Sequence, residues 1–584
     1  MDQKRLFLAI AISVAILLGF QLLVPKAPPQ VAQHTMQSTP NAATPNAATP
    51  RPTGDPAAPG TQPVAVPPPA LQRDVPRMRI AAQRVQGSLN LIGARLDDLV
   101  LRDYREEVKA DSPLVRLLEP RVDPQPYYVQ FGWTGDGVRV PDPDALWTAS
   151  APELTATQPA TLSWDNGAGQ VFEIVLAVDD NYLFTVQQRV RNAGASPVSV
   201  HPWARIRRDY KPETAGYYIL HEGLLGVLGG RLQEQTYDKA KTEAEKNPSG
   251  AGLDMATTGG WAGITDKYWL TALIPDQAVP VKAAFRHLTE NAADRYQVDF
   301  VTQEPVVAAP GAMAESTTRL FAGAKVVDLL DRYERELKLP NFDKAVDFGW
   351  FYFLTKPIFY AIDWLFKLTG NFGVAIMIFT VFVKLLFFPL ANKSYKSMSK
   401  MKLLGPKMQD IRERLKDEPQ KMQQEVMGLY RSEKVNPASG CLPMVVQIPV
   451  FFSLYKVIFV TIEMRHAPFF GWIHDLSAVD PTNVFNLFGL LPFDPAQYSH
   501  LLHLGVWPLI MGVTMFLQQK LNPPPPDPVQ ARIFQFMPIV FTFMLASFPA
   551  GLVIYWSWNN LLTIAQQWTI MRRTTVGEPR MARS

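Results

Sequence analysis

The chain has 584 residues, 47% of them hydrophobic and 19% charged, with a formal net charge of +4. That balance is too apolar for a plain soluble enzyme and too polar for a transporter lying wholly in a bilayer, so two regimes share the chain. The lone cysteine, Cys441, excludes an internal disulfide, and any exported domain must be stabilised by its core alone.

The N-terminus carries Lys4 and Arg5, and then Leu6 to Val24 is apolar except for Ser13 and Gln21. This run exceeds the roughly 7 to 15 residues of a signal-peptide core, and Leu22-Leu23-Val24-Pro25 lacks a small-x-small cleavage site. Residues 1–24 are therefore predicted to be an uncleaved transmembrane signal anchor. Residues 25–75 follow with 13 prolines, no aromatic residue and a tandem pentapeptide, Asn41 to Pro45 repeated as Asn46 to Pro50. Such a composition cannot build a core and predicts a disordered tether whose function is reach.

Across 76–345 the pattern changes to short alternating runs bounded by Asp, Asn, Gly and Pro. Val171 to Val178 is followed by the turn Asp179-Asp180-Asn181 and then by Tyr182 to Arg191, where Phe184, Val186 and Val190 face one way and Thr185, Gln187 and Arg189 the other. A period of two predicts a large antiparallel β-sandwich, closed by an amphipathic helix over Ala324 to Leu339. His201, His221 and His287 are scattered, and no HExxH, GxSxG or Gly-rich phosphate loop accompanies them, so this region offers little chemistry. Residues 346–370 are rich in Phe, Trp and Tyr but interrupted by Lys356, Pro357 and Asp363. They predict an amphipathic helix in the membrane interface.

Transmembrane helices are predicted over 371–391, 438–462, 503–519, 533–548 and 551–570, which with the anchor makes six spans. The last two come from one stretch, Ile533 to Ile570, that would measure about 57 Å as a single helix, nearly twice the hydrocarbon thickness. Phe548-Pro549-Ala550-Gly551 supplies the break. Ala391 to Pro437 contains 11 Lys/Arg against six acids, whereas Glu463 to Leu502 contains only Arg465 against four. Since short cytoplasmic loops collect basic residues, both termini and the 392–437 segment are placed in the cytoplasm, with the β-domain and the 463–502 loop outside. The basic tail, 571–584, is then cytoplasmic.

Lys384 stands inside the apolar run Phe372 to Leu390. A lysine well inside a span costs on the order of 2.5 to 3.5 kcal/mol on insertion scales, so either its stem snorkels to the headgroups or it faces a water-filled cavity. Thr380 lies four residues earlier on the same helix face, and with Gln447 and the Ser557 to Asn560 cluster the pair could line a hydrated groove. The alternative for each uncharged group is helix packing. Lys456, near the outer end of its span, is predicted to snorkel. The cytoplasmic segment reads as a helical hairpin broken at Gly405-Pro406 and Pro419. It carries Met398, Met401, Met408, Met422 and Met427, either an adaptable docking surface for apolar segments or simple packing. Its basic excess suits anionic lipid or ribosomal RNA.

The motifs TVFVKLLFFPL (Thr380 to Leu390), EKVNPASGCLPMVVQIPVF (Glu433 to Phe451), RHAPFFGWIHDLSAVDP (Arg465 to Pro481), GVTMFLQQK (Gly512 to Lys520) and FPAGLVIYWSWNN (Phe548 to Asn560) occur in that order. Over its whole length the chain resembles the Oxa/YidC/Alb family of membrane protein insertases, in its Gram-negative form with a large periplasmic domain. The resemblance implies a polytopic α-helical inner-membrane protein with a five-span insertase core and a periplasmic antiparallel β-sandwich. It implies a chaperone that moves nascent membrane proteins into the bilayer through a cytoplasm-open hydrophilic groove, alone or with the Sec translocon. The ribosome, the signal recognition particle receptor and anionic lipids are further expected partners. No catalytic residue, cofactor or metal is expected.

The family's intramembrane cation, usually Arg, falls on Lys384, and its neighbouring Thr on Thr380. Lys keeps the charge but lacks the planar five-donor fork of Arg. The aromatic pair of the last span falls on Tyr555 and Trp556, and the expected groove set is completed by Gln447 and Asn560, with Met401, Met408, Met422 and Met427 for substrate docking. Two other classes compete: a secondary transporter or channel using Lys384, and a membrane-anchored carbohydrate-binding or processing protein.

Overall fold

The computed structural model describes residues 75–576 apart from 215–219, 291–292, 417, 434, 436–441, 494, 499–501 and 523–527. The anchor expected over 1–24, the linker over 25–75 except its last residue, and the tail beyond 576 lie outside the described residues.

The first half is a β-sandwich. Its eleven-stranded sheet is centred on Pro280–Glu290, Ala293–Thr302, Val198–Arg208, Tyr127–Thr134 and Arg95–Arg105, and its nine-stranded sheet on Trp269–Pro275, Met313–Ala324, Leu183–Asn192 and Gln170–Val178. Pairing is antiparallel apart from Arg77–Ala81 beside Glu153–Thr155. The hairpin expected around Asp179 forms, because its carboxylate accepts the amides of Asn181 and Leu183 at 2.9 and 3.0 Å and so closes the turn. Phe184, Val186 and Val190 are buried, as the alternation requires, and Trp133 of one sheet meets Phe172 of the other edge-on at 5.2 Å.

Eleven α-helices are described. Within the β-domain, α1 (Tyr237–Glu245) is capped by Thr236, and α2 (Val327–Glu336) buries Leu329, Leu330 and Tyr333. α2 begins later than expected because the strand Met313–Ala324 runs through Ala324. The second half follows as α3 (Tyr352–Thr369), α4 (Phe372–Leu386), α5 (Phe388–Leu403), α6 (Gly405–Arg414), α7 (Pro419–Ser432), α8 (Leu442–Val460), α9 (Val506–Leu521), α10 (Pro528–Leu545) and α11 (Ala550–Val576).

Among the described residues no single helix is long and apolar enough to cross a membrane, but α4 and α5 together pass that test across a bend of 67°. The helix expected over 371–391 therefore ends early, at Leu386. Pro389 sits in the first turn of α5, where its missing N–H costs nothing, and the chain starts a new helix there instead of extending the old one. The expected break at Phe548-Pro549 is present between α10 and α11, while α11 runs past 570 into the expected tail. Helix α3 exposes Phe353, Trp364 and Leu368 on one side and buries Ile358, Phe359 and Ile362 on the other, so both of its faces are apolar.

Candidate functional site

Helices α4, α8 and α11 border a narrow cleft. From α4 come Phe379, Thr380, Val383 and Lys384, from α8 Val446, Gln447 and Val450, from α11 Tyr555, Asn559 and Gln566, and the start of α5 adds Ala391 and Tyr395. Lys384 is half-buried and donates from Nζ to Thr563 Oγ1 at 2.8 Å. Thr563 in turn donates to the Asn559 carbonyl at 2.7 Å, one turn back on α11. Among the described residues no ion pair involves Lys384, and no charged group acts on it. The cation thus faces a cavity held by neutral hydrogen bonds, with its charge uncompensated. It lies two residues from the end of α4, about 3 Å along the axis at 1.5 Å per residue, because the helix stops at Leu386.

The other expected groove residues divide. Thr380 lines the cleft but donates back to the Ile376 carbonyl at 2.7 Å, so its hydroxyl is spent on its own helix. Gln447 and Tyr555 line it together. Trp556 is placed elsewhere: it packs edge-on against Phe451 at 4.7 Å and near Phe541 at 6.2 Å. Asn560 is buried and donates to Thr514 Oγ1 at 3.2 Å, tying α11 to α9 outside the lining. Asn559, from the Ser557 to Asn560 cluster expected there, lines the cleft, whereas Thr563 and Gln566 beside it were missed as site residues. They recur at helical spacing on one face of α11, the same signal that joined Thr380 to Lys384.

The methionines of the hairpin also divide. Met408 is buried, with its sulfur accepting from Tyr430 Oη at 3.1 Å, and Met401 and Met422 pack against the same cluster. Met398 is buried against Tyr395 and Ile570. Met427 alone of the four docking candidates is exposed, at 40%.

Lys456, expected to snorkel, instead pairs with Asp347 Oδ1 at 2.9 Å and donates to its carbonyl at 3.0 Å. The chain after α8 is fastened to the sandwich: Arg465 donates to the Arg105 and Glu106 carbonyls at 2.7 and 2.9 Å and lies over the Trp269 ring. Glu463 accepts the Val327 amide, the first of α2, at 2.9 Å. Burial pushes the Glu463 carboxyl up to about 7. Lys267, seated 3.6 Å from the Phe459 ring centre, is pushed down to about 8 by the same cause. Lys356 of α3 pairs with Asp331 at 2.9 Å and Asp343 at 2.5 Å, which explains a cation in an apolar helix.

Elsewhere the three histidines do not converge: His201 meets the Thr302 carbonyl, His221 the Leu224 carbonyl and His287 Asp294. Among the described residues no group of His, Cys, Asp and Glu could hold a metal ion.

Comparison with known proteins finds two family models on the chain, "YidC periplasmic domain" over residues 77–361 and "60Kd inner membrane protein" over 364–577. The chain is 61% identical to a "Membrane protein insertase YidC" of Granulibacter bethesdensis, with all of both chains covered. It is 56% identical to the protein of that name from Acidiphilium cryptum, over 87% of this chain and 86% of the other. A solved structure described as "Active YidC insertase crystal structure with the first transmembrane domain resolved" is similar at 18% identity and a TM-score of 0.36, over 85% of this chain and 92% of that one.

Proposed function

The chain belongs to the YidC family of membrane protein insertases, acting on membrane proteins in the inner membrane, and we propose that the Lys384 cleft lowers the cost of insertion by electrostatics alone. The observation that carries this is the placement of Lys384 Nζ, held by Thr563 at 2.8 Å in a cleft where, among the described residues, no carboxylate pairs with it. A polar or acidic stretch of a nascent protein leaving water for the hydrocarbon loses its hydration. A fixed cation with the hydroxyl and amide groups of Thr563, Gln447 and Tyr555 replaces part of it. The apolar stretch then partitions into lipid, favoured by about 25 cal/mol per Å² of buried apolar surface. No bond is made or broken in this scheme, and no nucleotide or cofactor takes part, so the protein is not an enzyme.

In this reading the cleft opens to the cytoplasm, both termini are cytoplasmic and the sandwich is periplasmic, with six spans in all. The hairpin α6–α7 offers Met427 and its basic surface to nascent segments, to the ribosome or the signal recognition particle receptor, and to anionic headgroups, while larger substrates pass jointly with the Sec translocon. Support comes from the loop charges, from the exposed apolar side of α3 and from the bend after α4.

Purified protein in liposomes tests this with a small two-span substrate whose translocated segment is acidic, scored by protease protection. Wild type and Lys384→Arg are expected to insert it, and Lys384→Ala to fail. Equal insertion by Lys384→Ala would leave the lysine a snorkelling residue and remove the electrostatic role.

A further inference from the structure

The loop between α8 and α9 was expected on the periplasmic side, and within it residues 484–493 contain no charged side chain. Leu490 is 82% exposed, Phe488 57%, Leu487 52% and Phe493 46%. The exposure is constructed at a cost. Leu487 and Phe488 both adopt left-handed backbone, at φ of 53° and 60°, a conformation that bulky side chains rarely take. A loop seeking shelter from water would turn these groups inward, and this one strains its backbone to turn them out.

Its polar groups are arranged the opposite way. Asn483 and Asn486 each take two amides: their carbonyls accept Phe488 N at 2.9 Å and Leu491 N at 3.1 Å, and their side-chain oxygens accept Phe485 N at 3.1 Å and Gly489 N at 2.9 Å. Backbone donors satisfied from within, beneath an apolar outer surface, are what hydrocarbon demands of a segment it touches. The base of the loop is pinned to the first turn of α9. Buried Asp480 accepts from the Trp507 amide at 2.9 Å, from Trp472 Nε1 at 3.1 Å and from Thr482 Oγ1 at 2.7 Å. The apolar tip is thereby held at the end of the helical core remote from the hairpin.

We propose that residues 484–493 are immersed in the acyl region of the periplasmic leaflet and anchor the core there, a lipid contact distinct from the spans and from α3. This rests on the membrane topology proposed above. In the full-length protein carrying Cys441→Ser, an environment-sensitive fluorophore is placed at Leu490→Cys, at Phe382→Cys on the exposed side of α4, or at Asp136→Cys on the sandwich surface. Quenching is compared between nitroxide on lipid acyl chains and iodide in water, in vesicles of zwitterionic lipid. Leu490→Cys is expected to follow Phe382→Cys, quenched several-fold more by lipid nitroxide than Asp136→Cys and shielded from iodide. Quenching of Leu490→Cys by iodide, with Phe382→Cys still quenched by lipid, overturns the inference alone. Shielding from both quenchers overturns it in favour of contact with a second copy. Failure of lipid to quench Phe382→Cys overturns the topology beneath it.

Discussion

Glu463 shows how much a single residue's role depends on neighbours that sequence does not reveal. Its Oε1 accepts the first amide of α2, while its Oε2 is sequestered without a hydrogen-bond partner among the described residues. The α2 amide favours the carboxylate, but burial outweighs it, and Asp363 and Asp328 push the same way, giving a value of about 7 against an ordinary 4.5. Tyr104 faces the site and is itself pushed up to about 12 by burial, and Lys367 is engaged with Asp363 at 2.6 Å. A raised carboxyl contributes stability that is present below its unfolded value and lost as pH rises through the folded one. Hydrogen exchange at the Val327 amide should therefore quicken from about pH 5 to about pH 8, beyond the intrinsic rise in exchange rate. In Glu463→Gln, which keeps the acceptor and removes the charge, only the intrinsic rise should remain. An equal excess in both proteins would place the titration elsewhere. Lys384 was legible because a charge in an apolar run is costly wherever it sits. Its partner Thr563 was not, since a contact across 179 positions has no local signal.

At the scale of elements, period and breaker residues located the strands and most helices, and they failed where a proline starts a helix inside an apolar run. Phe372 to Leu390 reads as one span because hydropathy ignores hydrogen-bond geometry, whereas Pro389 divides it and brings Lys384 to the end of α4. Close crossings were equally invisible. Gly512 on α9 faces Thr542 on α10 so tightly that a Cβ would stand 2.1 Å from Thr542 Oγ1. Small residues permit such approaches, and this one sets the spacing of the two helices. Gly512→Ala should lower the thermal midpoint in detergent, by an overpacking cost of about 1–3 kcal/mol. Adding Thr542→Ala should recover much of the loss, and a midpoint unmoved by Gly512→Ala would mean the crossing yields freely.

For the whole molecule, composition announced two regimes but gave no sign that they interlock. Tyr268 bonds Ser477 at 3.3 Å, Arg465 caps carbonyls at the end of the strand Arg95–Arg105, and the Ala550 and Gly551 amides that open α11 end on the Ala478 and Leu476 carbonyls at 2.7 and 2.9 Å. The first two contacts join residues hundreds of positions apart and the last two join backbone groups tens of positions apart, through groups that a soluble loop would also carry, so no pattern marks them beforehand. Their effect is to tie the loop after α8 to the sandwich and to the first turn of α11. The central claim is that the cation, and not merely the cavity, assists insertion. It is tested most directly by a charge cycle in liposomes, crossing wild type and Lys384→Ala with two substrates that differ only in whether the translocated segment is acidic or neutral. The account predicts that Lys384→Ala slows the acidic substrate about tenfold or more, the equivalent of roughly 1.4 kcal/mol, and leaves the neutral one nearly unchanged. An equal loss for both substrates would contradict it, assigning Lys384 to the architecture of the cleft and not to the charge that passes through it.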